Sequence, residues 1–203
     1  MSPIETFIQS LGGADARARI QASLIGDNAA IDGPFGRKTL IYADYVASGR
    51  ALALVEDFIR DQVLPYYANT HTQASFCGSY MTRLREAARG EIARLVGADD
   101  ETSVIFSGSG STAGINRLAK LLDIAESVAA GKRAVVLIGP YEHHSNILPW
   151  RETGARIVEI PEAEAGGPDM AALDAALADA KGADLVLGCF SAASNVTGIL
   201  TDT

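Results

Sequence analysis

Apolar residues recur at helical spacing at Ile4, Phe7, Ile8 and Leu11, which predicts a short helix over residues 4–11. Ile20 and Leu24 predict a second short helix after Gly12 and Gly13, and the two read as an N-terminal helical arm over residues 1–38. Within the arm, residues 27–37 read as a loop because glycines, aspartates and Pro34 crowd there. Residues 40–42 then predict a short strand. Leu52, Val55, Ile59 and Val63 fall on one helical face that Pro65 closes, and residues 66–78 form a loop. Tyr80, Leu84, Ala88, Ile92 and Leu95 mark an amphipathic helix stopped at Gly97.

From residue 104 onward the pattern changes. Short apolar runs at 104–106, 134–139, 156–160 and 184–190 alternate with helical segments. The first helix carries Ile115, Leu118, Leu122 and Ala125 and ends at Gly131; residues 147–153 form a turn of helix; Asp169 caps a third bearing Met170, Leu173, Leu177 and Ala180. Strands that are apolar on both faces and alternate with helices predict an α/β fold, a mainly parallel sheet flanked by helices. Ligands of such sheets sit beyond the carboxyl ends of the strands.

Composition narrows the function classes. The 203 residues suffice for one sizeable core, and the net charge of -8 argues against nucleic acid or an anionic membrane surface as the main partner. An anion site must therefore be local. The longest apolar run, 134–138, is too short to cross a bilayer, and no leader pattern opens the chain. Cys77 and Cys189 cannot make a disulfide framework, so a cytoplasmic protein is expected.

Each predicted strand leads into a polar cluster. Residues 104–116, Val-Ile-Phe-Ser-Gly-Ser-Gly-Ser-Thr-Ala-Gly-Ile-Asn, run from strand through a glycine- and hydroxyl-rich turn into a helix. The backbone amides of Gly110, Ser111 and Thr112 would lie at the positive end of that helix and suit a phosphate, although an ordinary strand-to-helix turn has the same composition. The next strand leads to Tyr141-Glu-His-His-Ser-Asn146, and the last to Ser191-Ala-Ala-Ser-Asn-Val-Thr-Gly198. All three clusters would open on one edge of the sheet. His143 and His144 are adjacent and make a poor pair of metal ligands, so no metal is expected. A flat imidazole over a planar aromatic ligand and two half-exposed loop histidines are both open readings. Asn195 reads either as an amide donor to a ligand oxygen or as a turn residue beside Gly198. In the loop at 66–78, Asn69 and His71 belong to a dense polar set that is either functional or simply solvent-facing.

Taken together, these stretches resemble the class V aminotransferase family of pyridoxal-phosphate enzymes, in particular its cysteine desulfurases and selenocysteine lyases. The likeness runs from about Tyr42 to the end of the chain. Residues 141–150, Tyr-Glu-His-His-Ser-Asn-Ile-Leu-Pro-Trp, resemble the family's histidine motif; residues 110–116 resemble its phosphate loop; Ser194-Asn-Val-Thr-Gly198 resembles its asparagine motif. Asn69-Thr-His71 and residues 42–48 are similar to two weaker segments near the substrate. The resemblance implies a type I fold and pyridoxal 5'-phosphate as cofactor. It implies that Gly110, Ser111 and Thr112 hold the cofactor phosphate, that His143 stacks on the pyridine ring and serves catalysis, and that Asn195 bonds the ring oxygen. It also implies that Ala47, Asn69 and His71 lie near an amino-acid substrate and that the protein is a homodimer.

Departures from the family pattern are specific. Ala113 stands where the family often has glutamate, and Tyr45 and Val46 replace small residues, which points to a different substrate. Such an enzyme needs a lysine for its Schiff base and an acid for the pyridine nitrogen. Lys38, Lys120, Lys132 and Lys181 lack the sequence context that the family uses, and Cys77 does not match its nucleophilic cysteine. The expectation is a partial large domain over residues 39–203, the N-terminal portion of a longer enzyme and inactive alone. That enzyme would be a transferase or lyase, a desulfurase first, with aminotransferase or epimerase chemistry as alternatives. A non-catalytic binding or assembly protein that keeps the phosphate cradle is the reading from another class. A dinucleotide site fails, because the glycine spacing and the following acidic residue are missing.

Overall fold

The structure is a computed structural model that describes residues 2–202. The chain divides into two compact units, Met1–Ile105 and Phe106–Thr203.

In the first unit, α1 (Pro3–Leu11) begins on a reciprocal cap. Ser2 Oγ accepts from the Glu5 amide, and the Glu5 carboxylate accepts from the Ser2 amide at 2.6 Å. Helix α2 (Ala16–Ala22) follows. The expected loop at 27–37 is instead mostly a hairpin, β1 (Ala30–Gly33) against β2 (Gly36–Thr39), antiparallel around Pro34 and Phe35. All eight of its strand residues are exposed, so no alternation of apolar and polar positions marked it in the sequence. The expected strand at 40–42 is absent; Leu40 extends the hairpin by one bond to Ala29, and Ile41 is 87% exposed. Helix α3 (Ala53–Phe58) runs on through a π turn at Ile59–Val63 and a 3-10 turn at Leu64–Tyr66 that contains Pro65.

Helix α4 (Phe76–Leu95) starts earlier than its apolar stripe suggests, because Ser75 Oγ caps it by accepting from the Gly78 amide at 3.1 Å. Gly78 is buried under the preceding loop, and a Cβ there would stand 2.3 Å from the Thr72 methyl and 3.0 Å from Ser75 Oγ. Thr72 is β-branched and cannot swing clear. The Gly78→Ala variant is therefore expected to lose about 1–3 kcal/mol in chemical denaturation. It should also loosen residues 69–75, read as faster amide exchange there.

The second unit holds a parallel sheet of three strands in the order β4 (Arg156–Glu159), β3 (Ala134–Ile138), β5 (Leu185–Cys189). Every residue of β3 is buried, as a central strand covered on both faces requires. Ala134, Val136 and Ile138 face a cluster with Ala119, Ile124 and Trp150, drawn from α5 (Gly110–Leu121), α6 (Ile124–Ala129) and α7 (Leu148–Glu152). Val135 and Leu137 face the other way, toward α8 (Met170–Asp179) and Ala180. The ion pairs respect this layering: Arg151 on α7 reaches Glu159, and Arg156 reaches Asp179 on α8. Asp169 caps α8 as expected, accepting from the amides of Ala171 and Ala172.

Two expectations change here. The helix predicted to end at Gly131 is split at Asp123, whose φ of 54° is left-handed, a conformation that aspartate tolerates. Residues 104–106 form no strand; Ile105 and Phe106 are 56% and 45% exposed and lack the two-sided burial of a parallel strand.

Candidate functional site

The turn before α5 is built around Gly108 and Gly110, with φ of 113° and 75°, values that a side chain would strain. Ser109 occupies the N-cap position but makes no side-chain cap hydrogen bond. The first amides of a twelve-residue helix are thus left for an external acceptor, at the positive end of its dipole. Gly110, Ser111 and Thr112 are all exposed.

A hydroxyl chain connects this helix start to the loop after β3. Ser111 Oγ donates to Ser145 Oγ at 3.1 Å, and Ser145 Oγ lies 2.9 Å from His143 Nδ1. The His143 ring also caps the 3-10 turn His144–Asn146, accepting from the Ser145 amide at 3.2 Å. Its exposed ring meets His144 edge-on at 5.9 Å between centroids. The phosphate-loop candidate and the candidate stacking histidine therefore belong to one bonded cluster. Among the described residues no group of three or more His, Cys, Asp or Glu could hold a metal ion.

The residues that hold this loop were not singled out in the sequence. Glu142 reaches across from β3 to β5, accepting from the Ser191 amide, from Ser191 Oγ at 2.9 Å and from Asn146 Nδ2 at 2.6 Å. Asn146 Oδ1 in turn accepts from Nε1 of Trp150, which is fully buried. A carboxylate and an amide set between an apolar strand and the apolar run at 147–150 were the available signal, since buried polar groups must find partners. Tyr141 fixes the other side, donating to Glu162 at 2.6 Å while accepting from the Gly167 amide. The Glu162 carboxylate and partial burial hold the Tyr141 hydroxyl's pKa above its usual value. A cleft of about 430 Å³ opens beside this loop, lined by Gly139, Glu142, Ile147, Glu159 and Pro161.

Asn195 follows β5 in a tight loop. Ser194 is buried and its Oγ accepts from the amides of Val196 and Thr197, so the turn-building role falls to the serine. The Asn195 side chain is exposed and not enclosed in packed hydrocarbon. Ala47, Asn69 and His71 lie in the first unit, and all three are exposed. His71 has a left-handed φ of 73°, a conformation uncommon for a residue other than glycine. Thr72 beside it anchors the loop, its carbonyl accepting from Thr82 Oγ1.

Cys189 ends β5 behind the site. Burial first, and then the Glu142 carboxylate, push its thiol from 9.0 up to about 11. A thiol raised in this way stays neutral in the folded protein when its unfolded counterpart ionises. Its contribution to stability is complete below pH 9.0 and is lost as pH rises toward about 11. Cys189 is expected to resist alkylation in the native chain near neutral pH and to react only after denaturation, as mass spectrometry of labelled peptides would show.

An open parallel sheet with an uncapped helix start and an imidazole joined at its carboxyl edge defines an α/β protein whose polar groups lie where ligands of such sheets bind. The family model for aminotransferase class V matches residues 41–203, and the chain belongs to that family. A probable cysteine desulfurase from Vibrio cholerae is 30% identical over 137 residues, 66% of this chain and 33% of the relative. One from Halalkalibacterium halodurans is 32% identical over 126 residues, 60% of this chain and 30% of the relative. The chain thus spans about a third of the length of these curated relatives. Among solved structures, the apo cysteine desulfurase of Thermococcus onnurineus NA1 superposes with a TM-score of 0.64 at 27% identity, over 80% of this chain and 39% of that one. A cysteine desulfurase from Escherichia coli shares the fold, with a TM-score of 0.62 at 24% identity over 94% of this chain and 44% of that one. Among the described residues no helix is long and apolar enough to cross a membrane.

Proposed function

We propose that the second unit supplies the phosphate- and ring-binding side of a pyridoxal 5'-phosphate site, in a protein that acts on an amino acid by cysteine desulfurase-type chemistry. The observation that carries this reading is the bonded path from the open start of α5 through Ser111 and Ser145 to His143. A phosphate has uncapped amides to accept from, with the Ser111 hydroxyl next to them, and a flat ring has an exposed imidazole beside them. The residues present fit the cofactor on these grounds.

In that site the amides of Gly110, Ser111 and Thr112 would hold the phosphate, and the Ser111 hydroxyl, which donates to Ser145 Oγ in the ligand-free chain, would turn its proton to it. His143 would stack on the pyridine ring, and Asn195 would donate to its ring oxygen. Bound pyridoxal phosphate supplies an electron sink for bonds at the amino acid's α carbon. His143 holds a proton at the imidazole edge turned to the ligand. For Ala47, Asn69 and His71 in the first unit, the family likeness of their segments supports a substrate-binding role. Cys189 takes no part as a sulfur acceptor, because it is buried and its thiol stays protonated. Removal of sulfur from cysteine is the reading that the named relatives favour.

Calorimetric titration of the chain with pyridoxine 5'-phosphate and with pyridoxine tests the phosphate cradle without aldehyde capture by surface lysines. The phosphate ester should bind at least about tenfold more tightly, and Ser111→Ala should weaken it by about tenfold, the worth of one charge-assisted hydrogen bond. Equal binding of the two ligands would overturn the assignment.

A further inference from the structure

We propose that Ser145 is a positioning residue that fixes the His143 imidazole in the tautomer protonated at Nε2. The direction of every hydrogen bond in the chain is determined by one of them. The Ser145 backbone amide can only donate, and it points at Nδ1 from 3.2 Å. Nδ1 is therefore an acceptor and carries no proton. Ser145 Oγ, 2.9 Å from the same nitrogen, must then donate its hydroxyl proton to it. That leaves the lone pairs of Ser145 Oγ to accept, and Ser111 Oγ donates to it at 3.1 Å. The single proton of the neutral ring is thus placed on Nε2, which has no protein partner among the described residues.

Two donors from one residue converge on Nδ1, so Ser145 acts on the ring through both its backbone and its side chain. The turn at His144–Asn146 supplies the backbone half by placing that amide over the ring nitrogen. The consequence for chemistry rests on the pyridoxal phosphate reading above: the neutral His143 ring meets a ligand as a hydrogen-bond donor through Nε2, suited to a carboxylate or phenolic oxygen. It does not begin as a base. The tautomer itself does not depend on that reading.

The test is made on the ligand-free 203-residue chain labelled with 15N in its histidine rings. Long-range 1H–15N spectra are recorded about two pH units above the ordinary imidazole pKa, with the His143 signals assigned by their loss in His143→Gln. In the wild type, Nδ1 should resonate as an unprotonated nitrogen and Nε2 as a protonated one. Ser145→Ala should shift the two resonances toward each other as the tautomers mix, because one of the two donors is gone, and Ser145→Thr should restore their separation. A protonated Nδ1 in the wild type overturns the proposal, whether or not any variant folds. So does a Ser145→Ala spectrum identical to wild type. Neither result bears on whether pyridoxine 5'-phosphate binds, so the two proposals fail separately.

Discussion

Replacing Trp150 with alanine is expected to lower the unfolding free energy of the second unit by about 3–5 kcal/mol. Trp150 is fully buried and shares one cluster with Val136, Ile138, Ile124 and Ala119, so its removal opens a cavity among β3, α5 and α6. Its indole N–H is also the donor to Asn146 Oδ1 at 3.0 Å, and Asn146 is a donor to Glu142. The loss thus spreads from the core into the histidine loop. Denaturant unfolding followed by far-ultraviolet circular dichroism reads the effect, since the only tryptophan of the chain is the residue removed. Trp150→Phe should recover part of the stability by refilling the cavity while leaving Asn146 without its donor. A loss below about 1 kcal/mol in Trp150→Ala would mean that the cluster is not packed as described.

The second large effect is expected at Glu142. Glu142→Ala leaves the Ser191 amide, the Ser191 hydroxyl and the Asn146 amide without their shared acceptor. Hydrogen bonds to a charged acceptor are worth about 1.5–3 kcal/mol each, but the two side-chain donors can turn to water. The expected cost is accordingly about 2–4 kcal/mol. Glu142→Gln keeps one carbonyl acceptor and sets an NH2 group against the remaining donors, so it should fall between wild type and Glu142→Ala. Hydrogen exchange should show the specific signature, faster exchange of the Ser191 amide in both variants. Unchanged protection of that amide would show that the latch from β3 to β5 does not exist.

The layered half of the molecule was legible because its sequence obeys one rule. Residues 134–138 are apolar without interruption and form the central strand, and the Asp169 cap sits where an aspartate precedes an apolar helical stripe. The hairpin of β1 and β2 escaped because its strands bury nothing, so burial could not write a period into them. Residues 104–106 misled for the opposite reason: apolar composition alone does not supply a neighbouring strand. The polar clusters at the strand ends were visible as chemistry, and Ser111 and His143 do fall in one bonded group. What joins them was not visible. Ser145 and Glu142 look like ordinary loop residues until folding brings partners from positions 111 and 191 beside them. Hydrogen bonds between residues tens of positions apart leave no periodic trace, and only their buried polarity hints at them.

In the function proposed above, the start of α5, His143 and Asn195 address one phosphorylated pyridine. The most direct measurement is a 1H–15N spectrum of the assigned chain titrated with pyridoxine 5'-phosphate, with pyridoxine as the reference. Saturable shifts are expected at the amides of Gly110, Ser111 and Thr112 with the phosphate ester alone, accompanied by shifts at the His143 ring and the Asn195 side-chain amide. Shifts scattered over other surfaces, or the same shifts with pyridoxine, would contradict it.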